Sequence, residues 1–163
     1  MSQAQLIPHL FRNESRKITS VLCKCFGIEF LQVAEDITHD TFLKALETWT
    51  YKGVPPDPVA WLYVVAKNQA RNYLKRNTLF LEKISPALQY LNSERQDMDI
   101  DTSDQHIRDS ELQMLFAICH PSISSESQVG LALKILCGFG IDEIATAFLT
   151  SREVINKRLF RAK

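Results

Sequence analysis

Apolar residues near the start of the chain recur at helical spacing, which is typical of an amphipathic helix. This first block predicts a helix over residues 3–26, and Gly27 stands where that helix would end. One face of it carries the apolar side chains of Leu6, Leu10, Ile18, Leu22 and Phe26. We expect this face to pack into a core.

A second helix is expected from about Phe30 to Trp49, and it carries an acidic stripe. At 100° per residue, four of its side chains project within roughly 60° of one another. These four are Asp36, Asp40, Leu43 and Glu47. Such a stripe is either a solvated helix face or a surface that docks a basic partner.

Residues 51–58, YKGVPPDP, are expected to form a loop because they contain one Gly and three Pro. Asp57 is a suitable N-cap and Pro58 a suitable first residue for the next helix. That third helix is predicted over Val59 to about Arg76. Its inward face would be formed by Leu62, Ala66, Ala70 and Tyr73.

The other side of the third helix is basic and uninterrupted by acids. It carries Lys67, Arg71 and Lys75, and the amides and ring beside them belong to Asn68, Asn72 and Trp61. Single-stranded DNA needs cations for phosphates, flat rings for stacking and amides for base edges. The surface therefore favours binding of single-stranded DNA, although a solvated face with a partly buried tryptophan would have the same pattern.

Residues 91–109 combine few large apolar side chains with the densest negative charge of the chain, so they predict a solvated linker. After it, helical spacing resumes in two blocks of the C-terminal part. The expected apolar positions are Leu112, Leu115 and Ile118, then Val129, Leu133 and Leu136.

Two short helices are expected at the C-terminus, the first from Ile141 to Phe148. The second begins after Thr150 or Ser151, because either residue could cap it. Ile155, Leu159 and Ala162 share one arc of the second helix. The opposite arc carries Glu153, Asn156, Lys157, Phe160 and Arg161. This pair predicts a helix-turn-helix whose second helix enters the DNA major groove, the alternative being a generic helical hairpin.

The composition is that of a globular protein, with 45% apolar and 23% charged residues among 163. A net charge of zero argues against a polybasic nucleic-acid binder, yet the charge is unevenly distributed. Residues 52–83 and 152–163 each carry +4, and residues 92–111 carry −5. We expect the acidic stretch to lie over the basic surfaces when no partner is bound, and so to weaken non-specific DNA binding.

The sequence contains no apolar run long enough to span a membrane and no signal peptide, so a cytoplasmic location without membrane contact is expected. Cys23 and Cys25 would point about 200° apart on a helix and could not chelate one ion. Together with Cys119 and Cys137, they are interpreted as reduced thiols in helix cores. We expect no metal and no cofactor.

The segments AEDITHDTFLKALETW (34–49) and PVAWLYVVAKNQARNYLKR (58–76) resemble region 2 of bacterial RNA polymerase sigma factors of the extracytoplasmic-function branch. DEIATAFLTSREVINKRLFRAK (142–163) is similar to region 4 of the same proteins. LFAICHPSISSESQVGLALKIL (115–136) resembles the subgroup with a long C-terminal extension. Since the chain ends at Lys163, within the expected recognition helix, we expect it to be a truncated form.

The resemblance implies an all-α protein with two small helical domains. Region 2 would occupy residues 1–90 and the region 4 helix-turn-helix residues 110–163, joined by the acidic linker 91–109. A sigma factor has no catalytic residues of its own, because the chemistry belongs to the polymerase. Its implied partners are core RNA polymerase, promoter DNA in duplex and melted form, and an anti-sigma factor or its own extension as regulator.

The resemblance also assigns roles to residues. The β′ clamp helices of the polymerase would be docked by Asp36, Asp40 and Leu43. The melted promoter −10 element would be held by Tyr51, Lys52, Trp61, Lys67, Asn68, Arg71 and Lys75. The −35 element would be recognised by Arg152, Asn156, Lys157, Phe160 and Arg161.

The sequence departs from the family at two places. His39 stands where the family usually has Gln, and Asn72 stands where it usually has Asp. The resemblance therefore does not define the polymerase contact at His39, nor the base preference for the −10 element at Asn72. A stand-alone helix-turn-helix regulator is the alternative function, and a helical adaptor that binds no DNA is a third.

Overall fold

The computed structural model describes residues 3–27, 30–84 and 100–162 of the chain. Every regular element within these ranges is helical, which confirms the all-α class. The helices are α1 (Gln3–Phe26), α2 (Leu31–Lys52), α3 (Pro58–Ile84), α4 (Asp104–Ile118), α5 (Ser125–Leu131), α6 (Ile141–Ala147) and α7 (Arg152–Ala162). A π-helical turn, Ala132–Leu136, continues α5.

The first three helices pack side by side around an apolar core. The five apolar residues that predicted α1 lie on its packed face, and Ile18 and Leu22 are almost completely buried. Small residues let the neighbouring helices approach closely, because Ala34 and Ala45 of α2 and Ala70 of α3 have no exposed surface. The inward face predicted for α3 is therefore correct.

The loop between α2 and α3 is shorter than the sequence indicates. Helix α2 extends through Tyr51 and Lys52, so the prediction that these residues lie in a loop was wrong. The helix ends at Gly53, whose N–H donates to the carbonyl oxygen of Trp49 at 3.1 Å and whose φ is +81°. Only glycine adopts this backbone region readily, and it therefore fixes where the chain leaves α2.

Helix α3 begins as predicted and ends later. The Asp57 carboxylate accepts a hydrogen bond from the Ala60 N–H at 2.9 Å, which is N-cap geometry with Pro58 as the first helical residue. The helix runs to Ile84, past the expected end near Arg76, so its last turns were missed. No glycine or proline interrupts residues 77–84, and this stretch contains no local signal for a helix end.

Helix α4 overturns part of the linker prediction. It starts at Asp104, inside the segment expected to be linker as far as Asp109, and residues 91–99 lie outside the described ranges. The Ser103 side chain accepts from the His106 N–H and caps the helix, a signal that the acidic composition concealed. Its buried residues are Ile107, Ser110, Met114 and Ile118.

Three apolar positions expected inside the C-terminal part are on its surface. Leu112 and Leu115 of α4 are exposed, and so is Val129 of α5. Ile118 is buried as predicted, and the other buried positions are Met114, Leu131 and Ile135. In α4 the buried side is formed by Ile107, Ser110, Met114 and Ile118. This side packs against α1, and Leu112 and Leu115 therefore face outward.

Helices α6 and α7 form the predicted pair. Ile144 of α6 and Ile155 and Leu159 of α7 are buried together in the core. The open question about the cap of α7 is settled, since the Ser151 hydroxyl accepts from the Val154 N–H at 3.4 Å. The turn passes through Leu149, which has a positive φ of 52°.

Helix α4 also packs against α1, so the N-terminal and C-terminal helices share one core. Arg16 of α1 joins them by polar contacts. Its Nη1 donates to the carbonyl oxygen of Leu136 at 2.9 Å, and its Nε lies 3.4 Å from the Glu111 carboxylate. Ser20 and Ser110 are small, buried residues on the two facing helices, and their size allows close packing.

The cysteines only partly match their expected place in helix cores. Cys23 is buried, and burial raises the pKa of the half-buried Cys25. Cys119 and Cys137 are exposed, so the core interpretation was wrong for these two. They directly follow α4 and the π-turn, where the chain leaves the core.

Within the described ranges, no helix has the length and apolarity needed to cross a membrane. Nor do the described residues place three or more His, Cys, Asp or Glu side chains together as a metal site would require.

Candidate protein and nucleic-acid interfaces

An acidic face lies on the outer side of α2. Asp36 and Asp40 are exposed there one turn apart, and Leu43 is 55% exposed. The Asp36 carboxylate accepts a hydrogen bond from the Gln32 side chain at 3.1 Å. Glu47 extends the face by another turn. The three predicted docking residues are therefore brought together on one surface, in which an apolar side chain stands among carboxylates.

A group of three rings borders this acidic face. The His39 ring stacks on Phe11 of α1 with the ring centroids 5.9 Å apart, and Phe11 meets Phe42 edge-on at 5.0 Å. Phe11 was not among the predicted site residues. Its position outside the apolar stripe of α1 was the signal that could have pointed to a surface role. His39, the departure from the family pattern, is therefore supported by a neighbouring helix.

The basic face of α3 is exposed along most of its length. Asn68, Arg71 and Lys75 lie on its surface, with Asn72 beside them. Lys67 is half-buried and stands at the edge that faces α4. The predicted cations thus share one helix side, and Lys67 differs from the others in its surroundings.

Trp61 packs against the core more than the sequence indicated. It is half-buried, and its ring meets that of the buried Trp49 edge-on, with centroids 5.3 Å apart. Tyr51, in the last turn of α2, is 89% exposed, and Lys52 beside it is exposed as well. The tryptophan pair supports the short loop of residues 53–57, and Tyr51 is the ring most available for stacking.

A groove of about 450 Å³ runs between α2 and α3. Asp40, Leu43 and Glu47 form one side of it, and Asn72 and Arg76 form the other. The acidic face and the basic face therefore meet along a common edge. Arg76 lies at this edge and was not among the predicted contacts.

Helix α7 presents a polar and aromatic surface. Asn156, Lys157 and Arg161 are exposed, and Phe160 is 83% exposed although it is a large apolar residue. Arg152, at the start of the helix, lies 3.6 Å from the Asp142 carboxylate of α6. All five predicted −35 residues therefore have solvent access. An exposed ring among cations suits a groove that offers phosphates and thymine methyl groups.

Arg158 has a structural role that the sequence did not reveal. Its guanidinium lies 3.0 Å from the Glu126 carboxylate of α5 and over the Phe148 ring at 5.8 Å. It therefore ties α7 to α5 and to Phe148, the C-cap residue of α6. Lys157 and Arg161 line a neighbouring groove of about 670 Å³ together with Ser124 and Ser127.

Comparison with known proteins bears on these surfaces. Residues 10–79 match the family Sigma-70 region 2. The chain is also 33% identical over 137 residues to an uncharacterized protein of Rhizobium meliloti (strain 1021). That alignment covers 82% of this chain and 32% of the relative, so the chain spans about a third of the relative's length. The match over 10–79 includes the acidic face of α2, the loop and the basic face of α3. Residues 10–79 of the chain are therefore similar to Sigma-70 region 2.

Proposed function

We propose that this protein binds core RNA polymerase and directs it to particular promoters, which it helps to melt. The observation that carries the proposal is the pair of opposed surfaces within the Sigma-70 region 2 match. An acidic face on α2 and a basic face on α3 stand on adjacent helices of one bundle. One suits a basic protein partner and the other suits DNA phosphates.

On α2, Asp36, Asp40 and Leu43 are proposed to dock the β′ clamp helices of the polymerase. The exposed leucine would supply apolar contact, and the carboxylates would supply charge complementarity. Asp36→Arg combined with Asp40→Arg should reduce co-purification with core enzyme at least tenfold. Both residues are exposed, so circular dichroism should show an unchanged fold.

A matched control is available for the docking test. Asp109→Arg also reverses an exposed aspartate on a helix, but on α4, away from the acidic face. It should bind core enzyme as wild type does, whereas Asp40→Arg alone should bind less. Equal binding of these two single variants would refute the docking assignment.

On and beside α3, the −10 contacts are proposed to be Tyr51, Lys52, Trp61, Lys67, Asn68, Arg71 and Lys75. The exposed cations would hold phosphates of the melted strand, and Tyr51 is placed to stack on a base. Lys75→Ala should lower affinity for a single-stranded oligonucleotide and reduce its dependence on salt.

For the −35 element, we propose contacts from Arg152, Asn156, Lys157, Phe160 and Arg161 on α7. Their exposure on one helix, supported from behind by Ile155 and Leu159, is the arrangement that a recognition helix needs. Residues 110–163 would then form region 4, and residues 1–90 region 2.

The finer classification follows from the resemblance of the sequence segments. We place the protein in the extracytoplasmic-function branch, in the subgroup with a C-terminal extension. Control by that extension or by an anti-sigma factor, and a location beside the polymerase in the cytoplasm, belong to the same proposal.

Run-off transcription with core polymerase on a promoter library tests the function directly. A sigma factor yields discrete transcripts that depend on the added protein, while a stand-alone helix-turn-helix regulator yields none without another sigma factor. Absence of any promoter-specific transcript would refute the proposal.

A further inference from the structure

Just before α4 the chain lies against the N-terminal helices. Ile100 is only 2% exposed and belongs to the apolar core shared by both halves of the molecule. The next residues are held by local hydrogen bonds, since the Asp101 carboxylate accepts from the Ser103 N–H at 2.8 Å. The position of Asp101 is therefore fixed from both sides, by a buried anchor and by the cap of α4.

This anchored segment borders the basic face of α3. Lys67 lines a cavity of about 700 Å³ together with Thr102 and Asp104. The pKa of Asp101 is lowered, first by hydrogen bonds from Ser103 and then by the charges of His106 and Lys67. One predicted −10 cation thus shares a cavity with carboxylates of the chain itself, Asp104 and Glu111 among them, while Lys17 and Arg108 also line it.

Melted DNA would meet like charge at this edge. A phosphate that approaches Lys67 must also approach Asp101 and Asp104, and repulsion between like charges opposes that approach. The remaining cations of α3 stay exposed, so the obstruction is confined to one end of the surface.

We propose that residues 100–104 dock on the Lys67 end of the α3 surface in the free protein and must leave it before a melted strand binds there. The proposal rests on the proposed −10 role of α3. The occupant is a segment of the same chain, held by the burial of Ile100 and by the packing of α4 on α1. Binding of the melted strand and release of this segment would then be coupled.

The test uses the 163-residue chain and a fluorescein-labelled, mixed-sequence single-stranded DNA 12-mer at low salt. Asp101→Asn keeps the oxygen that accepts from the Ser103 N–H, removes the negative charge and turns the oxygen that faces His106 into an amide NH2. Affinity should rise about two- to fivefold, the range expected for one solvent-exposed charge pair. The gain should shrink as salt is added.

Asp109→Asn is the matched control, because it removes one exposed charge on α4 and keeps the oxygen that accepts from the Gln105 amide. Its affinity should equal that of wild type. In a Lys67→Ala background, Asp101→Asn should give no further gain, since the contact that it relieves is gone. Equal gains for the two Asn variants, or a gain that survives Lys67→Ala, would overturn the docking proposal.

Lys75→Ala separates failure of this inference from failure of the proposed function. Lys75 lies about two turns along α3 from Lys67, away from the docked segment. If Lys75→Ala binds as wild type, the −10 role of α3 is refuted. If Lys75→Ala binds more weakly and Asp101→Asn has no effect, the role of α3 stands and docking of residues 100–104 is refuted.

Discussion

A buried polar contact between α1 and α3 gives the sharpest stability prediction. The Tyr63 hydroxyl donates to Oε2 of Glu14 at 3.2 Å, and Lys17 donates to Oε1 of the same carboxylate at 3.0 Å. Both Glu14 and Tyr63 are buried, so the carboxylate depends on these partners in place of water. Tyr63→Phe removes one donor and leaves the ring in place.

The expected cost follows from the geometry. A hydrogen bond to a charged group contributes about 1.5–3 kcal/mol, and this one is long while Lys17 keeps the carboxylate paired. We therefore expect Tyr63→Phe to lower the free energy of unfolding by about 1.5 kcal/mol. For a chain of this size that corresponds to about 3–6 °C in Tm.

Urea denaturation followed by circular dichroism measures the change, with Tyr51→Phe as control. Tyr51 is almost fully exposed, so its variant should unfold at the wild-type urea concentration. A Tyr63→Phe protein as stable as wild type would show that the contact contributes nothing, and the reasoning from burial would then be wrong.

The same contact predicts a dependence on alkaline pH. Burial, and then the Glu14 charge, raise the pKa of Tyr63 far above its usual value. Above about pH 10 the unfolded chain loses this proton while the folded chain keeps it, so stability falls as pH rises. One such proton contributes a slope of about 1.4 kcal/mol per pH unit. In Tyr63→Phe the decline above pH 10 should be shallower by that amount, and an equal decline in both proteins would contradict the assignment.

Two further predictions concern the loop between the two candidate surfaces. Asp57→Ala removes the acceptor for the Ala60 N–H and should lower the free energy of unfolding, measured by urea denaturation, by about 1 kcal/mol. Asp57→Asn should lower it much less, and equal losses for the two variants would refute the cap. In Gly53→Ala the added Cβ would meet no neighbouring atom, but a residue with a side chain would have to adopt a φ of +81°. The free energy of unfolding should fall by about 1–3 kcal/mol, and a wild-type Tm would refute this strain argument.

The sequence predicted those helix ends that a glycine or a capping side chain marks. Gly27 and Asp57 are such signals, and α1 and α3 end and begin there as expected. The extra turns of α3 and the early start of α4 were missed. At the start of α4 the Ser103 cap sets where the helix begins, while the composition suggested a solvated chain.

Surface and core were harder to distinguish in the C-terminal part. Leu112 and Leu115 have helical spacing and are apolar, yet both are exposed, while Ser110 is buried. A serine at this position allows α4 to approach α1 closely. The spacing of apolar residues does not show where two helices approach each other through small residues.

By itself, the sequence determined the helical class and the identity of the charged faces on α2, α3 and α7. These follow from periodicity, because side chains one turn apart lie on one side of any helix. Only the tertiary structure decided that Phe11 supports His39, that Trp61 rests on Trp49, and that Asp104 lines a cavity with Lys67. Such contacts join residues far apart in sequence or on different elements, and they depend on how whole helices pack, which local spacing does not specify.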